Sequence, residues 1–140
     1  MAAEVTINYL AVLLAAIASM IIGAAWYSPL LFGNLWMNLS GIKKEDIEKA
    51  KQKGMAKNYA ITFVSSLVMS YVLSHFVRYV EATDILGGIT LALWLWLGFI
   101  ATVTLGSVLW EGKSLKLYIL NNGHNLLSLA VMSIILTLWA

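Results

Sequence analysis

The sequence predicts an all-α integral membrane protein, a bundle of four transmembrane helices, and two observations support this prediction. Hydrophobic residues make up 61% of the 140 residues and charged residues only 11%, whereas an ordinary soluble domain is about 25% charged. Four apolar stretches are each long enough, at about 1.5 Å per helical residue, to cross a hydrocarbon core about 30 Å thick. A soluble protein with four such helices in succession would have no polar face.

The predicted spans are approximately residues 7–27, 59–79, 86–109 and 118–139, within a single membrane domain, 1–140. Apart from tyrosines, the ionisable residues inside them are His75, Arg78 and His124. Charged side chains are costly in hydrocarbon, so their scarcity is typical of helices surrounded by lipid. No basic residue precedes the first span, and we therefore expect it to be retained rather than cleaved as a signal peptide.

The lysines indicate which side of the membrane each loop faces. The loop of residues 28–58 and the loop after the third span are separated by two crossings, so they lie on one side. These two loops carry eight lysines: Lys43, Lys44, Lys49, Lys51, Lys53, Lys57, Lys113 and Lys116. The opposite loop has Arg78 as its basic residue. By the positive-inside rule we expect the lysine-bearing loops in the cytoplasm and both termini outside, in the plasma membrane.

Two short helices are predicted between the first two spans. Ser28 and Pro29 suit the N-cap and the first position of a helix. The apolar segment from Leu30 to Leu39 is too short to cross the membrane, so it predicts a helix lying in the interface. A charged cytoplasmic helix is predicted from Lys44 to Lys53, with its acidic residues early and its lysines late, as the helix dipole favours. Its lysines are consistent with a lipid or partner site, or with a solvated helix that sets the topology.

Every span carries small residues at four-residue spacing, which places them on one helix face. Lipid provides no hydrophobic drive for helix association, so close backbone approach and interhelical hydrogen bonds must hold the bundle together. The predicted packing residues are Ala15, Ser19, Gly23, Ser66, Ser70, Gly98 and Gly106. Some of these rows are expected to contact a second copy of the chain instead, since homo-oligomers are common.

The third span also contains two tryptophans near its middle. Trp94 and Trp96 are two residues apart, so they point in roughly opposite directions on a helix. One of them has room to line a cavity, but we expect both to serve mainly as large apolar packing groups.

The candidate functional residues lie at the predicted cytoplasmic end of the fourth span. Four polar side chains fall on one helical face there: Asn121, His124, Asn125 and Ser128. Each needs a hydrogen-bond partner in hydrocarbon, and histidine can change its charge near neutral pH, so a proton-linked role is chemically available. Glu111, across a short connection, is able to reach this face. The same pattern is consistent with a hydrogen-bonded patch that only holds helices together.

The sequence indicates no catalytic arrangement. Its two histidines, His75 and His124, lie near opposite ends of spans, and no carboxylate lies within a span. The chain also has no cysteine, which excludes thiolate chemistry. We therefore expect no enzyme activity, no metal site and no cofactor. The expected partners are the lipid bilayer and further copies of the chain, and not nucleic acid.

One motif resembles a known family. The run Trp26-Tyr27-Ser28-Pro29, followed by Phe32-Gly33 and Trp36, resembles the signature of an uncharacterised bacterial and archaeal membrane family, domain of unknown function 1761. The resemblance continues through Trp110 to Ser114 and Asn121 to Leu126, and it covers essentially the whole chain. It implies four helices and no known activity. It also marks five residues at the cytoplasmic boundary: Trp26, Tyr27, Glu111, Asn121 and Gly123.

Two functional classes are therefore consistent with the sequence. In the first, the protein binds or transports a small solute or a proton at the polar face that contains His124. In the second, it is a structural or accessory membrane protein that acts by assembling with itself or with another membrane complex. A cavity along this face would favour the first class, and a closely packed neighbouring helix would favour the second.

Overall fold

The computed structural model describes residues 6–139, and helices account for all of the regular secondary structure in that part of the chain. The helices in order are α1 (Tyr9–Trp26), α2 (Gly33–Ser40), α3 (Lys44–Lys53), α4 (Ala56–Tyr79), α5 (Ile85–Leu109) and α6 (Leu115–Leu138). Helices α1, α4, α5 and α6 are long and apolar enough to cross a membrane. This confirms the predicted all-α class with four spans. The two chain ends, residues 1–5 and 140, lie outside the described residues.

Helix α6 is the centre of the bundle. It packs against α1 on one side and α5 on the other, and it also contacts α4. It is the least apolar of the four long helices, yet 39% of its most apolar stretch is buried, against 22% in each of the others. Lipid cannot satisfy polar side chains, so they are stable where they face other helices. The helix that carries four of the six buried polar residues of the described chain, Asn122, Ser128, Ser133 and Thr137, therefore takes the central position.

The two ends of the bundle differ in chemistry. At one end the Asn8 side-chain amide donates to the Trp139 carbonyl oxygen over 2.7 Å, which joins the start of α1 to the end of α6. At the other end a common cavity is lined by Tyr27 from the α1–α2 connection, Met55 from the α3–α4 connection and Lys113 from the α5–α6 connection. Both lysine-bearing loops thus lie at this second end, which we call the basic end.

Small side chains let α1 approach α4 and α6 closely. Ala15 and Ala16 are fully buried, and Ala11 is nearly so. The Ser70 hydroxyl on α4 is also buried and donates to the Val12 carbonyl oxygen on α1 over 2.8 Å. Because lipid adds no hydrophobic drive, contacts of this kind hold the helices together.

Gly88 lets α5 pack closely against α6. The Ser133 hydroxyl donates to the Gly88 carbonyl oxygen over 2.7 Å, and a Cβ atom at Gly88 would lie only 3.0 Å from Thr137 Oγ1 and 3.3 Å from the Ser133 carbonyl oxygen. Gly98, which the spacing grouped with Gly106 as a packing row, is exposed, and a Cβ there would meet no described atom within 4 Å. Inside this chain α5 therefore packs through the Gly88 face.

Helix α5 contains a π-helical turn over Leu97–Ala101. Such a turn inserts an extra residue and changes which side chains face the neighbouring helix. The Trp96 indole N–H, just before the turn, donates to the Asn122 carbonyl oxygen over 3.0 Å. The Tyr118 hydroxyl donates to the carbonyl oxygen of Ala101, the last residue of the turn, over 2.6 Å. Hydrogen bonds to α6 therefore lie at both ends of the irregular turn.

The side chain of Asn122 completes this connection. It is 3% exposed, and its amide donates to Thr104 Oγ1 over 3.1 Å and to the Tyr118 carbonyl oxygen over 3.0 Å. Trp94, by contrast, is 68% exposed on the outer surface of α5. Within this chain Trp94 therefore does not serve as the apolar packing group that was expected, whereas the Trp96 indole contacts α6.

The segment between α1 and α2 forms a tight turn. The Ser28 hydroxyl donates back to the Ala25 carbonyl oxygen over 2.7 Å, so it closes α1 instead of capping the next helix. The Gly33 N–H donates to the Ser28 carbonyl oxygen over 2.9 Å, and a Cβ at Gly33 would lie 2.5 Å from the Tyr27 carbonyl oxygen. The predicted helix start at Pro29 is therefore wrong, because this turn occupies Pro29 and α2 begins only at Gly33.

The Gly88 contact predicts an asymmetric effect of alanine. Gly88→Ala should lower the free energy of unfolding by about 1–2 kcal/mol, because the atoms around the added Cβ include backbone that cannot move aside cheaply. Gly98→Ala should instead raise the free energy of unfolding by up to about 1 kcal/mol, because alanine has the higher helix propensity. Reversible unfolding in mixed detergent and dodecyl sulfate micelles measures both. Equal values for the two variants would contradict the contact.

The Trp96 hydrogen bond predicts a second difference. Trp96→Phe should lower the free energy of unfolding by about 1 kcal/mol, the usual size of an interhelical hydrogen bond in a membrane protein. Trp94→Phe removes the same atoms from an exposed ring and is the matched control, with little change expected. The same unfolding assay compares them, and a loss as large for Trp94→Phe would show that the hydrogen bond is not the cause.

Candidate functional site

Two adjoining cavities lie in the basic half of the bundle. The first, the entrance cavity, has a volume of about 1200 Å³ and is bounded by Tyr27 and by residues of α2, α4, α5 and α6. The second, the deep cavity, has a volume of about 590 Å³ and lies between α1, α4 and α6. Four residues line both: Tyr27, Thr62, His124 and Asn125. The polar face of α6 therefore borders open space instead of being fully packed against a neighbouring helix.

The structure brings most of the predicted site residues to these cavities. Glu111 and Asn121 line the entrance cavity, and Ser128 lines the deep cavity. Trp26 lines neither of them and lies behind the site, with its ring 4.6 Å from that of Phe32, measured between centroids. Trp26 therefore supports the site rather than forming its surface.

Two glycines make room for the Trp26 and His124 rings where α1 packs against α6. A Cβ at Gly123 would lie 3.2 Å from the Trp26 ring, and one at Gly23 would lie 3.4 Å from His124 Nε2. The His124 ring centroid is 5.1 Å from that of Tyr27 and 6.2 Å from that of Trp26. The motif at the end of α1 thus forms an aromatic wall that holds the histidine ring.

His124 Nε2 has no hydrogen-bond partner among residues 6–139. The atom is buried, and Trp26 Nε1 is likewise buried without a partner in these residues. A buried polar atom without a partner costs about 1–3 kcal/mol, so native structures keep few of them without a functional reason. The unmatched His124 nitrogen belongs to a side chain that lines both cavities.

Tyr27 contacts both α2 and α6 in the wall of the entrance cavity. Its hydroxyl donates to Asn121 Oδ1 over 2.7 Å, and its ring packs edge-on against Trp36 of α2, with centroids 5.8 Å apart. The α1–α2 turn, α2 and α6 are joined through this one side chain. Asn121 is thus already occupied by a structural hydrogen bond, whereas His124 and Asn125 face the space that both cavities share.

The deep cavity ends within the bundle. At its inner limit the hydroxyls of Ser19 and Ser128 are 2.8 Å apart and hydrogen-bonded, and the Ser66 hydroxyl lies 3.8 Å from Met20 Sδ. Beyond these residues the interior is filled by a core that is at most 6% exposed: Val12, Ala15, Ala16 and Met132. The cavities therefore form a polar recess that begins at the basic end and stops partway through the bundle.

Charge is confined to the mouth of this recess. Glu111 and Lys113 are exposed and line the entrance cavity. Among the described residues that line the deep cavity, His124 is the one side chain able to carry a positive charge near neutral pH, and the others are hydroxyl, amide or apolar groups. This arrangement suits a ligand part that forms hydrogen bonds without a full charge.

Sequence reasoning missed two residues of this region. Asn122 is outside the i, i+3, i+4, i+7 set that contains Asn121, but it is the most buried asparagine of the group because it faces the π turn of α5. Thr62 lies four residues before Ser66, in register with the predicted packing residues of α4, yet it lines both cavities. An amide within a span is itself a signal that would have marked Asn122, whereas the place of Thr62 depends on how α4 packs.

Comparison with known proteins supports the resemblance seen in the sequence. No curated protein and no solved structure matches the chain with significant similarity. The family described as "Protein of unknown function (DUF1761)" matches residues 10–137, from the second residue of α1 almost to the end of α6. Because the match covers nearly the whole chain, the protein belongs to the DUF1761 family.

Proposed function

We propose that the protein is a multi-pass membrane protein that binds a small hydrogen-bonding solute in the recess formed by the two cavities. The observation that carries this proposal is His124, whose side chain lines both cavities and whose buried Nε2 atom lacks a partner in the described chain. A solute with a hydroxyl, amide or protonated acid group would give this atom its hydrogen bond. Asn125 and Thr62 line the same space and would bind the other polar atoms of the solute.

The charges around the recess support an entry route from the basic end. Glu111 and Lys113 keep the entrance cavity hydrated, whereas the inner limit is closed by the buried core around Met132. If the lysine-bearing loops are cytoplasmic, as the positive-inside rule predicts, the recess opens to the cytoplasm. For a solute to cross the membrane, α1, α4 and α6 would have to separate at that core. The proposal is therefore one of binding, and transport would need this additional movement.

Cysteine accessibility tests whether the recess is open to water. The chain contains no cysteine, so each single-cysteine variant reports one position. With a charged methanethiosulfonate reagent, Asn125→Cys should react within about tenfold of exposed Lys51→Cys and about a hundredfold faster than Ala92→Cys, because modification follows exposure of the thiolate. Ala92 is fully buried between α5 and α6 and is the matched negative control.

The same variants test the orientation. In intact cells the impermeant reagent should leave Lys51→Cys unmodified, and in inverted vesicles it should modify both Lys51→Cys and Asn125→Cys. An Asn125→Cys variant as unreactive as Ala92→Cys from both sides would show that the recess is closed, and the solute proposal would then be wrong.

Leucine substitutions test binding itself. His124→Leu and Asn125→Leu each replace a polar side chain that lines the recess with an apolar one of similar size. A panel of small neutral alcohols, amides and polyols is added to the purified protein, and ligands are detected as a rise in melting temperature. A solute at about 100 times its dissociation constant stabilises the wild type by about 2.7 kcal/mol, and both variants should lose that gain while still folding.

A second candidate function is an accessory role through self-assembly, which one observation favours. Gly98 and Thr102 are exposed on α5, and the Thr102 hydroxyl donates back to the Gly98 carbonyl oxygen over 2.7 Å. This leaves a flat, hydrogen-bonded strip of small residues that suits close approach of another helix. The strip supports a homo-oligomer in which two α5 helices meet.

Enlarging the strip tests this alternative. Gly98→Leu should lower the fraction of oligomer by about tenfold, because the added side chain separates the backbones. Val103→Leu enlarges another exposed position of α5 and should leave the oligomer unchanged. Mass measurement by size-exclusion chromatography with light scattering compares them in one detergent. A wild type that is monomeric at every protein concentration would contradict the accessory role.

A further inference from the structure

A lateral groove runs along the bundle where α4 and α5 diverge. It has a volume of about 780 Å³, and its lining is almost entirely apolar. Val64, Val68 and Phe76 of α4 form one wall, and Leu95 and Phe99 of α5 form the other. The floor includes Leu129 of α6. The wall on α4 extends from residue 60 to residue 76, which corresponds to about 24 Å of helix.

This groove is continuous with the polar recess. Three residues, Ser65, Met69 and Ile100, line both the groove and the deep cavity. The end of the groove nearest the basic side therefore meets the space beside His124 and Asn125. Ile100 belongs to the π-helical turn of α5, so the irregular turn lies where the polar and apolar spaces join.

On the basis of the proposed function, we propose that the bound molecule is a single-chain amphiphile of the membrane, with an uncharged, hydrogen-bonding head group. The head lies in the deep cavity against His124, Asn125 and Thr62. The alkyl chain leaves through the opening at Ser65 and Met69 and lies along the α4/α5 groove. A monoacylglycerol or a long-chain alcohol has this chemistry.

The charge pattern decides which head group fits. The deep cavity offers hydroxyl, amide and imidazole groups, and the lysine and glutamate of the region stay at the mouth of the entrance cavity. A phosphodiester or carboxylate head would have to lose its hydration without a fixed countercharge, which is unfavourable. A neutral head with two or more hydrogen-bonding atoms would replace its water hydrogen bonds with those of His124 and Asn125.

The alkyl chain would orient the bound amphiphile, but it would not make binding selective over other lipids. Moving a chain from the bilayer to an apolar groove exchanges one hydrocarbon environment for another, so it yields little hydrophobic free energy. Selective binding must therefore depend on the polar contacts in the deep cavity. This separates a bound amphiphile from ordinary lipid contact, because only the amphiphile responds to changes at Asn125.

Photocrosslinking in proteoliposomes tests the proposal. The probes are a monoacylglycerol with a diazirine in its alkyl chain and a phosphatidylcholine with the same diazirine chain. Peptide mass spectrometry should find the monoacylglycerol crosslinks at Val64 and Val68 about fivefold more often than at Leu93 and Leu97, which form the exposed outer surface of α5 and line none of these cavities. One membrane hydrogen bond would produce a difference of this size. Phosphatidylcholine should label both surfaces to a similar extent.

Two variants separate the head site from the groove. Asn125→Leu should reduce monoacylglycerol labelling of the groove about fivefold and leave phosphatidylcholine labelling unchanged. Val68→Trp should fill the groove and reduce labelling there by both probes, with Val64→Trp as the replacement if that variant does not fold. Melting temperature and monodispersity serve as folding controls for each protein.

Labelling of the groove and the outer surface of α5 to the same extent, or no response to Asn125→Leu, would overturn the amphiphile proposal. The accessibility of Asn125→Cys decides the solute proposal separately. If Asn125→Cys reacts but labelling is unselective, the amphiphile proposal is wrong and the proposal of a water-soluble solute stands. If Asn125→Cys does not react, both proposals are wrong.

Discussion

The whole structure depends on one constraint: hydrocarbon offers no hydrogen bonds, so polar groups inside the bundle need partners from the protein itself. Helix α6 carries most of these groups, and it takes the central position for that reason. Ser133 reaches the backbone of α5 at Gly88, Ser128 reaches Ser19 on α1, and Asn122 binds across the π turn. The apolar surfaces are left to face lipid.

The same constraint makes the basic half of the bundle different from the other half. Near Asn8 and Trp139 the interior is filled by small and apolar side chains such as Ala15 and Met132. Near the lysine-bearing loops the helices separate, and the aromatic residues Trp26 and Tyr27 support the polar face of α6 without covering it. Among the described residues, three buried side-chain atoms have no hydrogen-bond partner. His124 Nε2 and Trp26 Nε1 lie in this open half, where a ligand has room, and Thr137 Oγ1 lies beside Gly88 in the filled half.

Helix α5 links the two kinds of space. Its π turn is held to α6 by Trp96 and Tyr118. Residues before and within the turn, such as Leu95 and Phe99, form a wall of the apolar groove. Residues after it, such as Thr104 and Ser107, line the polar entrance cavity. One irregular turn therefore lets a single helix present an apolar surface along one part of its length and a polar surface along the rest, as π-helical turns at functional sites often do.

The sequence by itself determined the four spans, the gathering of lysines at one end, the family and the polar face of α6, because length, hydropathy and charge are local properties of the chain. Only the tertiary structure decided that α5 packs through Gly88 and not Gly98, that Asn122 is the most buried amide, and that α2 begins after a turn at Pro29. In a membrane both the lipid-facing and the protein-facing sides of a helix are apolar, so hydropathy alone does not reveal which side meets a neighbour. Which side meets a neighbour depends on how closely the two helix backbones approach at individual residues. This distance is known only once the helices are packed together.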